Sequence, residues 1–223
     1  MTDEPTPGKP PETAPDTPDA PVPPAEPEPA EPEPGGLRDR LVRTGVELVD
    51  AEGAGALSLR EIARRAGVSH GAPRRYFPTH LDLLSAIAHE GFRALGIRVA
   101  AIDTADPRDR IEALARLYLD FARTRGGMYE LMFRHDLLES GRLGLRDTSL
   151  PLFAHVAELV ARVRPDAADP ATATGALWAN LHGIAQLRRW GSLRLATGAD
   201  DVEPLLTAAL DAHLGPRRPD TGR

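Results

Sequence analysis

The stretch that decides the fold is SLREIARRAGVSHGAPRRYF, Ser58 to Phe77. Ser58 followed three residues later by Glu61 is a capping box, which opens a short helix by satisfying amides that have no intrahelical partner. Ile62, Ala63 and Ala66 fall at helical spacing on its inner side, and Ala63 is small where two helices must cross closely. Gly67 closes the helix at a position that needs a positive φ. Val68 plugs the corner, and Ser69 is placed to cap another helix over about 69–76. Helix, short turn, helix is the spacing of a helix-turn-helix, whose second helix enters the major groove of DNA. The charge agrees: Arg60, Arg64, Arg65, Arg74 and Arg75 face one acid, Glu61.

Around this segment the pattern is helical throughout. Upstream, Leu37, Leu41, Val42, Val46 and Val49 recur every three or four residues, which predicts a helix over about 37–52, stopped by Gly53 and Gly55. Downstream, Thr79 with Asp82 caps a long helix, and Asp106-Pro107 starts the next with proline at the first helical position. Further helices are expected over about 127–138, 149–163, 170–192 and 201–213. No stretch shows the alternation of a strand, so the fold class is all-α, with about nine helices.

Composition bounds what else the chain can be. Of its 223 residues, 22 are proline, and 13 of those lie in residues 1–34 beside nine acids and a single base, Lys9. That stretch carries a net charge of −8, whereas the rest carries +2, so the overall −6 describes a tail. Almost free of apolar residues, 1–34 is expected to be disordered. It reads as a solubilising leader or, alternatively, as an acidic arm that competes with DNA, an idea that fails if deleting residues 2–34 leaves DNA affinity unchanged at low salt. The absence of cysteine excludes disulfides, a thiolate nucleophile and a Cys-type zinc site. No apolar run approaches the roughly 20 residues that span a bilayer, and the N-terminus lacks the features of a signal peptide. The expected location is the cytoplasm, on the nucleoid, with no membrane partner. The seven histidines are scattered without metal-ligand spacing; no metal, no cofactor and no enzymatic activity are expected.

The candidate DNA-facing residues are Ser58, Arg60, Arg64, Ser69, His70, Gly71, Arg74, Arg75, Tyr76 and His80. Ser69 and nearby amides suit a phosphate, and Arg74 or Arg75 suits either a phosphate or a guanine edge. In capping box, turn glycine, corner valine, charge cluster and following long helix, residues 37–84 resemble the TetR family of transcriptional regulators. That resemblance implies a three-helix DNA-binding head and a helical body that binds a ligand and makes a homodimer. The family usually ends its recognition helix with Tyr-x-His-Phe and opens the next helix with Lys. Here those positions read Arg74, Arg75, Tyr76 and Phe77, with His80 in place of Lys, so the tyrosine–phosphate contact falls to Arg74 or Tyr76. Within the family, Tyr129, Leu131, Met132 and Phe133 with Trp178, His182 and Gly183 are similar to the subgroup with a WHG-type C-terminal domain.

In the body, Trp178 and His182 are four apart and share a helical face. They are expected either to be packed core or dimer contact, or to line a mainly apolar effector pocket with Tyr118, Met132, Phe133, His135, Phe153 and Trp190. The last two helices are expected to build the dimer interface, the second through Val202, Leu205, Leu206, Ala209 and Leu210. The implied organisation is a tail over 1–34, a DNA-binding domain over 35–84 with its helix-turn-helix at 58–77, an effector-binding and dimerisation domain over 85–214, and a frayed end over 215–223. The implied function is a ligand-responsive homodimeric repressor. It sits on double-stranded DNA at a near-palindromic operator and is released by a small, mainly apolar molecule, with the long helix hinged near Pro78 as the lever. The alternatives are an activator or architectural protein without an effector, and a helical small-molecule binder with a degenerate head.

Overall fold

The computed structural model describes residues 36–141, 144–166 and 169–217; the stretch 1–34 expected to be disordered, and most of the expected frayed end, lie outside the described residues. The described residues form ten α-helices and no strand. Helix α1 (Gly36–Glu52) buries Leu41, Val42, Leu48 and Val49, the face read from its spacing. Helix α2 (Leu59–Arg65) starts at Ser58, whose hydroxyl accepts from the Glu61 amide at 3.1 Å. It ends at Gly67, where φ is +68° and an L side chain would be strained. The Val68 amide then donates to the Ala63 carbonyl at 3.0 Å and closes the corner.

The next segment departs from expectation. In place of a helix over 69–76 there is a single 3₁₀ turn, Ala72–Arg75, with its cap at Gly71 and no side-chain cap bond from Ser69. The cause is Pro73, which is buried in the turn. Having no N–H, it cannot carry an α-helical ladder through this segment, and it disfavours the α conformation at Ala72. The amides of Ala72, Arg74 and Tyr76 instead reach back three residues, to Ser69, Gly71 and Pro73.

The long helix is α3 (His80–Ala100), opened by a capping box in which Thr79 and Asp82 satisfy each other's amides. It runs past the expected boundary at 84/85, so one rigid rod serves both head and body. Helix α4 (Pro107–Thr124) is capped by Asp106. The expected helix over 127–138 is two, α5 (Gly126–Met132) and α6 (His135–Ser140), because Arg134 is extended, with φ −64° and ψ 125°. Helix α7 (Leu145–Val163) begins earlier than read, so Pro151 lies inside it rather than at its start. Helix α8 (Pro170–Arg189) stops at Gly191, followed by short α9 (Ser192–Thr197) and α10 (Glu203–Leu214).

Helices α3, α4, α7 and α8 pack on one another to form the body, α10 lies on α8, and α5 is pressed between α3 and α1. The apolar residues form one continuous core from Leu41 in the head to Leu214 in the last helix. At the joint between α1 and α5, a Cβ on Gly127 would collide with the Val49 carbonyl oxygen and lie 2.8 Å from the Gly53 Cα. Only glycine permits that approach. An ion pair between Arg125 and Asp50 ties the same joint. No helix among the described residues is long and apolar enough to cross a membrane.

Candidate nucleic-acid interface and internal cavity

The positive residues of the head separate into two groups. Arg64 places two nitrogens on the Glu61 carboxylate, at 2.9 and 2.6 Å, and Arg65 pairs with both Glu61 and Glu52. Side-chain hydrogen bonds from Arg64 and then Arg65 hold the Glu61 carboxyl down at about 2. Arg60, Arg74 and Arg75 are exposed, and among the described residues no ion pair engages them. Arg74 and Arg75 sit on the 3₁₀ turn, next to Tyr76, which is 45% exposed, while Pro73 and Phe77 anchor that turn in the core. Ser69, His70 and Gly71 are exposed at its leading edge.

Two of the sequence-derived candidates have structural duties. The Ser58 hydroxyl is occupied as the cap of α2. The His80 Nε2 lies 3.1 Å from the Leu57 carbonyl oxygen, to which it donates. Arg64, neutralised by Glu61, offers less to a phosphate than its position suggests.

The body holds a cavity of about 290 Å3, half open to solvent past the exposed Leu150 and Trp178. One end is aromatic: Tyr118, Phe133 and Trp178, with Phe92 edge-on to Phe133 at 5.8 Å between ring centres. The remaining wall is mostly hydrocarbon from α3, α4, α6, α7 and α8, including Leu95, Val99, Ile111, Leu114, Phe153 and Val156, with Ser149 and Thr174 as its hydroxyls. At this aromatic end, three polar atoms meet. The Tyr118 hydroxyl is 2.8 Å from His182 Nδ1, the Tyr129 hydroxyl is 2.7 Å from the same nitrogen, and the two hydroxyls are 3.1 Å apart. Burial pushes both phenols up, Tyr129 to about 12, and pushes His182 down, so all three groups are neutral near pH 7.

The structure thus brings four of the eight expected effector residues to the cavity wall: Tyr118, Phe133, Phe153 and Trp178. His182 stands directly behind them. The other three lie elsewhere. Met132 is fully buried, its sulfur packed toward Gly91 of α3. His135 projects to solvent, its side chain 89% exposed and 3.3 Å from Glu139, because the break at Arg134 turns α6 so that Leu137 points inward instead. Trp190, 71% exposed, sits twelve residues beyond Trp178, which rotates it about a third of a turn away on a helix. Sequence reasoning omitted Tyr129, which joins Tyr118 and His182 in the polar cluster at the aromatic end, and the aliphatic wall altogether. Tyr129 had a signal, since it falls four residues before Phe133; the leucines and valines look like any core face.

The expected dimer residues are also redistributed. Val202, Leu206, Ala209 and Leu210 are buried within the chain, where α10 packs on α8 and α4. The outward faces of α8 and α10 carry small residues instead, among them Ala176, Ala179, Ala208 and Ala212, together with the exposed Leu187 and Trp190.

Comparison with known proteins gives two family matches: residues 41–87 fit bacterial regulatory proteins of the tetR family, and residues 111–213 fit the tetracyclin repressor-like C-terminal domain. The second description names no subgroup. The chain is 31% identical over 113 residues to the nucleoid occlusion factor SlmA of Aliivibrio fischeri, covering 49% of this chain and 58% of that protein. It is 32% identical over 101 residues to the HTH-type transcriptional activator FasR of Mycolicibacterium smegmatis, covering 44% and 46%. The matches therefore span only about half the length of these curated relatives. A solved structure of a Rhodococcus sp. RHA1 protein of unknown function superposes with a TM-score of 0.62 at 28% identity, covering 81% of this chain and 94% of that one. With a matched helix-turn-helix head joined by one long helix to a matched helical body, the chain belongs to the TetR family of bacterial regulatory proteins.

Proposed function

We propose that this protein is a homodimeric, ligand-responsive transcriptional regulator, a repressor released from its operator by a small molecule and without enzymatic activity. The observation that carries the reading is the trio of Arg60 on α2 with Arg74 and Arg75 on the following turn, all exposed and, among the described residues, without ion pairs. Cations left without partners beside neighbours that are paired suit phosphates and base edges. Residues 35–84 form the DNA-binding domain and 85–214 the effector-binding and dimerisation domain. Two heads related by a twofold axis enter successive major grooves of a near-palindrome, with half-sites about 34–36 Å apart. Such a protein works in the cytoplasm, on the nucleoid.

The cavity supplies the other half of the reading. Among the described residues its walls come from five helices, α3, α4, α6, α7 and α8, and α3 carries the head at its N-terminal end. A ligand that fits one arrangement of those walls better than another shifts the population toward it, and α3 converts that choice into head spacing. Selection of bound fragments from a random DNA pool tests the proposal. An inverted repeat is expected, with affinity falling steeply as salt rises; fragments without common sequence or symmetry would count against it.

A further inference from the structure

The proposed effector site has walls specific enough to name the chemistry of what it takes, and this step rests on the ligand-responsive reading above. Among the described residues, none that lines the cavity is Asp, Glu, Lys, Arg or His. Of its polar side chains, Thr174 is spent on the Pro170 carbonyl at 2.8 Å, and Ser149 points its hydroxyl at the Arg146 carbonyl at 3.4 Å. A buried ionic group would have no counter-charge here, and an unpaired ion in such a place costs far more than a cavity of this size returns.

The Trp178 indole N–H is directed to the Tyr118 oxygen, so what remains is the Tyr118 hydroxyl proton. His182, neutral, offers one lone pair at Nδ1 when the ring proton is on Nε2. The Tyr129 and Tyr118 hydroxyls, at 2.7 and 2.8 Å, both reach it, and it can accept from only one of them. The hydroxyl that does not donate to His182 is left with the other's oxygen at 3.1 Å, long for a bond between hydroxyls, whose usual separation is about 2.7–2.8 Å. Tyr118 is wall, whereas Tyr129 and His182 stand behind it. Its hydroxyl is therefore the donor that an incoming oxygen can claim at little loss to the network.

We infer that the effector is an uncharged molecule, aromatic or hydrocarbon in bulk, whose single hydroxyl or carbonyl oxygen is read by Tyr118. At about 30 Å3 per atom-sized volume, the cavity suits on the order of ten non-hydrogen atoms. Large polyanionic thioesters and carboxylates are outside this class.

Naphthalene, 1-naphthol and 1-naphthoate share one skeleton and fluoresce, so their binding to the full chain at pH 7 is a direct test. The expected order is 1-naphthol roughly three- to tenfold tighter than naphthalene, with 1-naphthoate weaker than either by a hundredfold or more. Tyr118→Phe should bring 1-naphthol down to the affinity of naphthalene and leave naphthalene itself unchanged. Leu114→Trp, which fills the cavity, should abolish both. Naphthoate binding as tightly as naphthol, or wild-type protein that does not distinguish naphthol from naphthalene, overturns the ligand class while leaving the cavity as an effector site. If none of the three binds, or if Leu114→Trp has no effect on binding, the effector reading itself falls.

Discussion

Glu61 holds two of the head's arginines at once, and this single carboxylate decides how much charge the head presents. Glu61→Gln should release Arg64, leaving Arg65 held by Glu52, and raise DNA affinity at low salt, with a steeper salt dependence measured by fluorescence anisotropy. The same change should remove a stabilising group. Because the folded carboxyl sits at about 2 against an ordinary 4.5, its contribution is present above about pH 4.5 and is lost as pH falls toward 2; the variant's deficit in thermal stability should fade over that window. Arg74→Ala should instead weaken binding and lower the salt slope by about one, whereas Arg64→Ala should do less of both; equal effects would refute the division of the arginines. The Glu61 pairs were open to a reader of the sequence, since the spacings to Arg64 and Arg65 are those that meet on a helix. The His80 bond to Leu57 was not, because it joins residues far apart in the chain through a fold not yet known.

At the scale of elements, sequence periodicity located the long helices because each buries an uninterrupted stripe, and capping residues placed their starts. It failed where one residue outweighs the stripe. Pro73 turned an expected helix into a 3₁₀ turn, and the extended Arg134 split another in two, sending His135 outward. The cavity was half legible: aromatic residues announced one end, while the aliphatic wall is indistinguishable from core until helices are placed. The α1–α5 joint depends on backbone meeting backbone at Gly127. Gly127→Ala should cost about 1–3 kcal/mol, the range for overpacking a site that cannot yield, seen as a lowered melting temperature. Gly175→Ala, where no heavy atom lies near the new Cβ, serves as its control. On α8, the small outward residues suit close helix crossing between two copies. Ala179→Glu should give a folded monomer by sedimentation velocity, since Ala179 is exposed within its own chain; a persistent dimer would move the interface elsewhere.

For the molecule as a whole, the continuous core from Leu41 to Leu214 makes head and body one cooperative unit. Calorimetry should show a single unfolding transition, with the head melting together with the body; two resolved transitions would mean that the joint transmits little. The passage of α3 through both regions has a further consequence for anyone transplanting specificities between relatives. A seam at 84/85 would sever a helix in mid-turn and strand the partner surface of Gly127. Chimeras ought to be spliced in the bend after Ala100, carrying the whole rod with its reading module, and the recipient must supply a bare backbone notch to receive it.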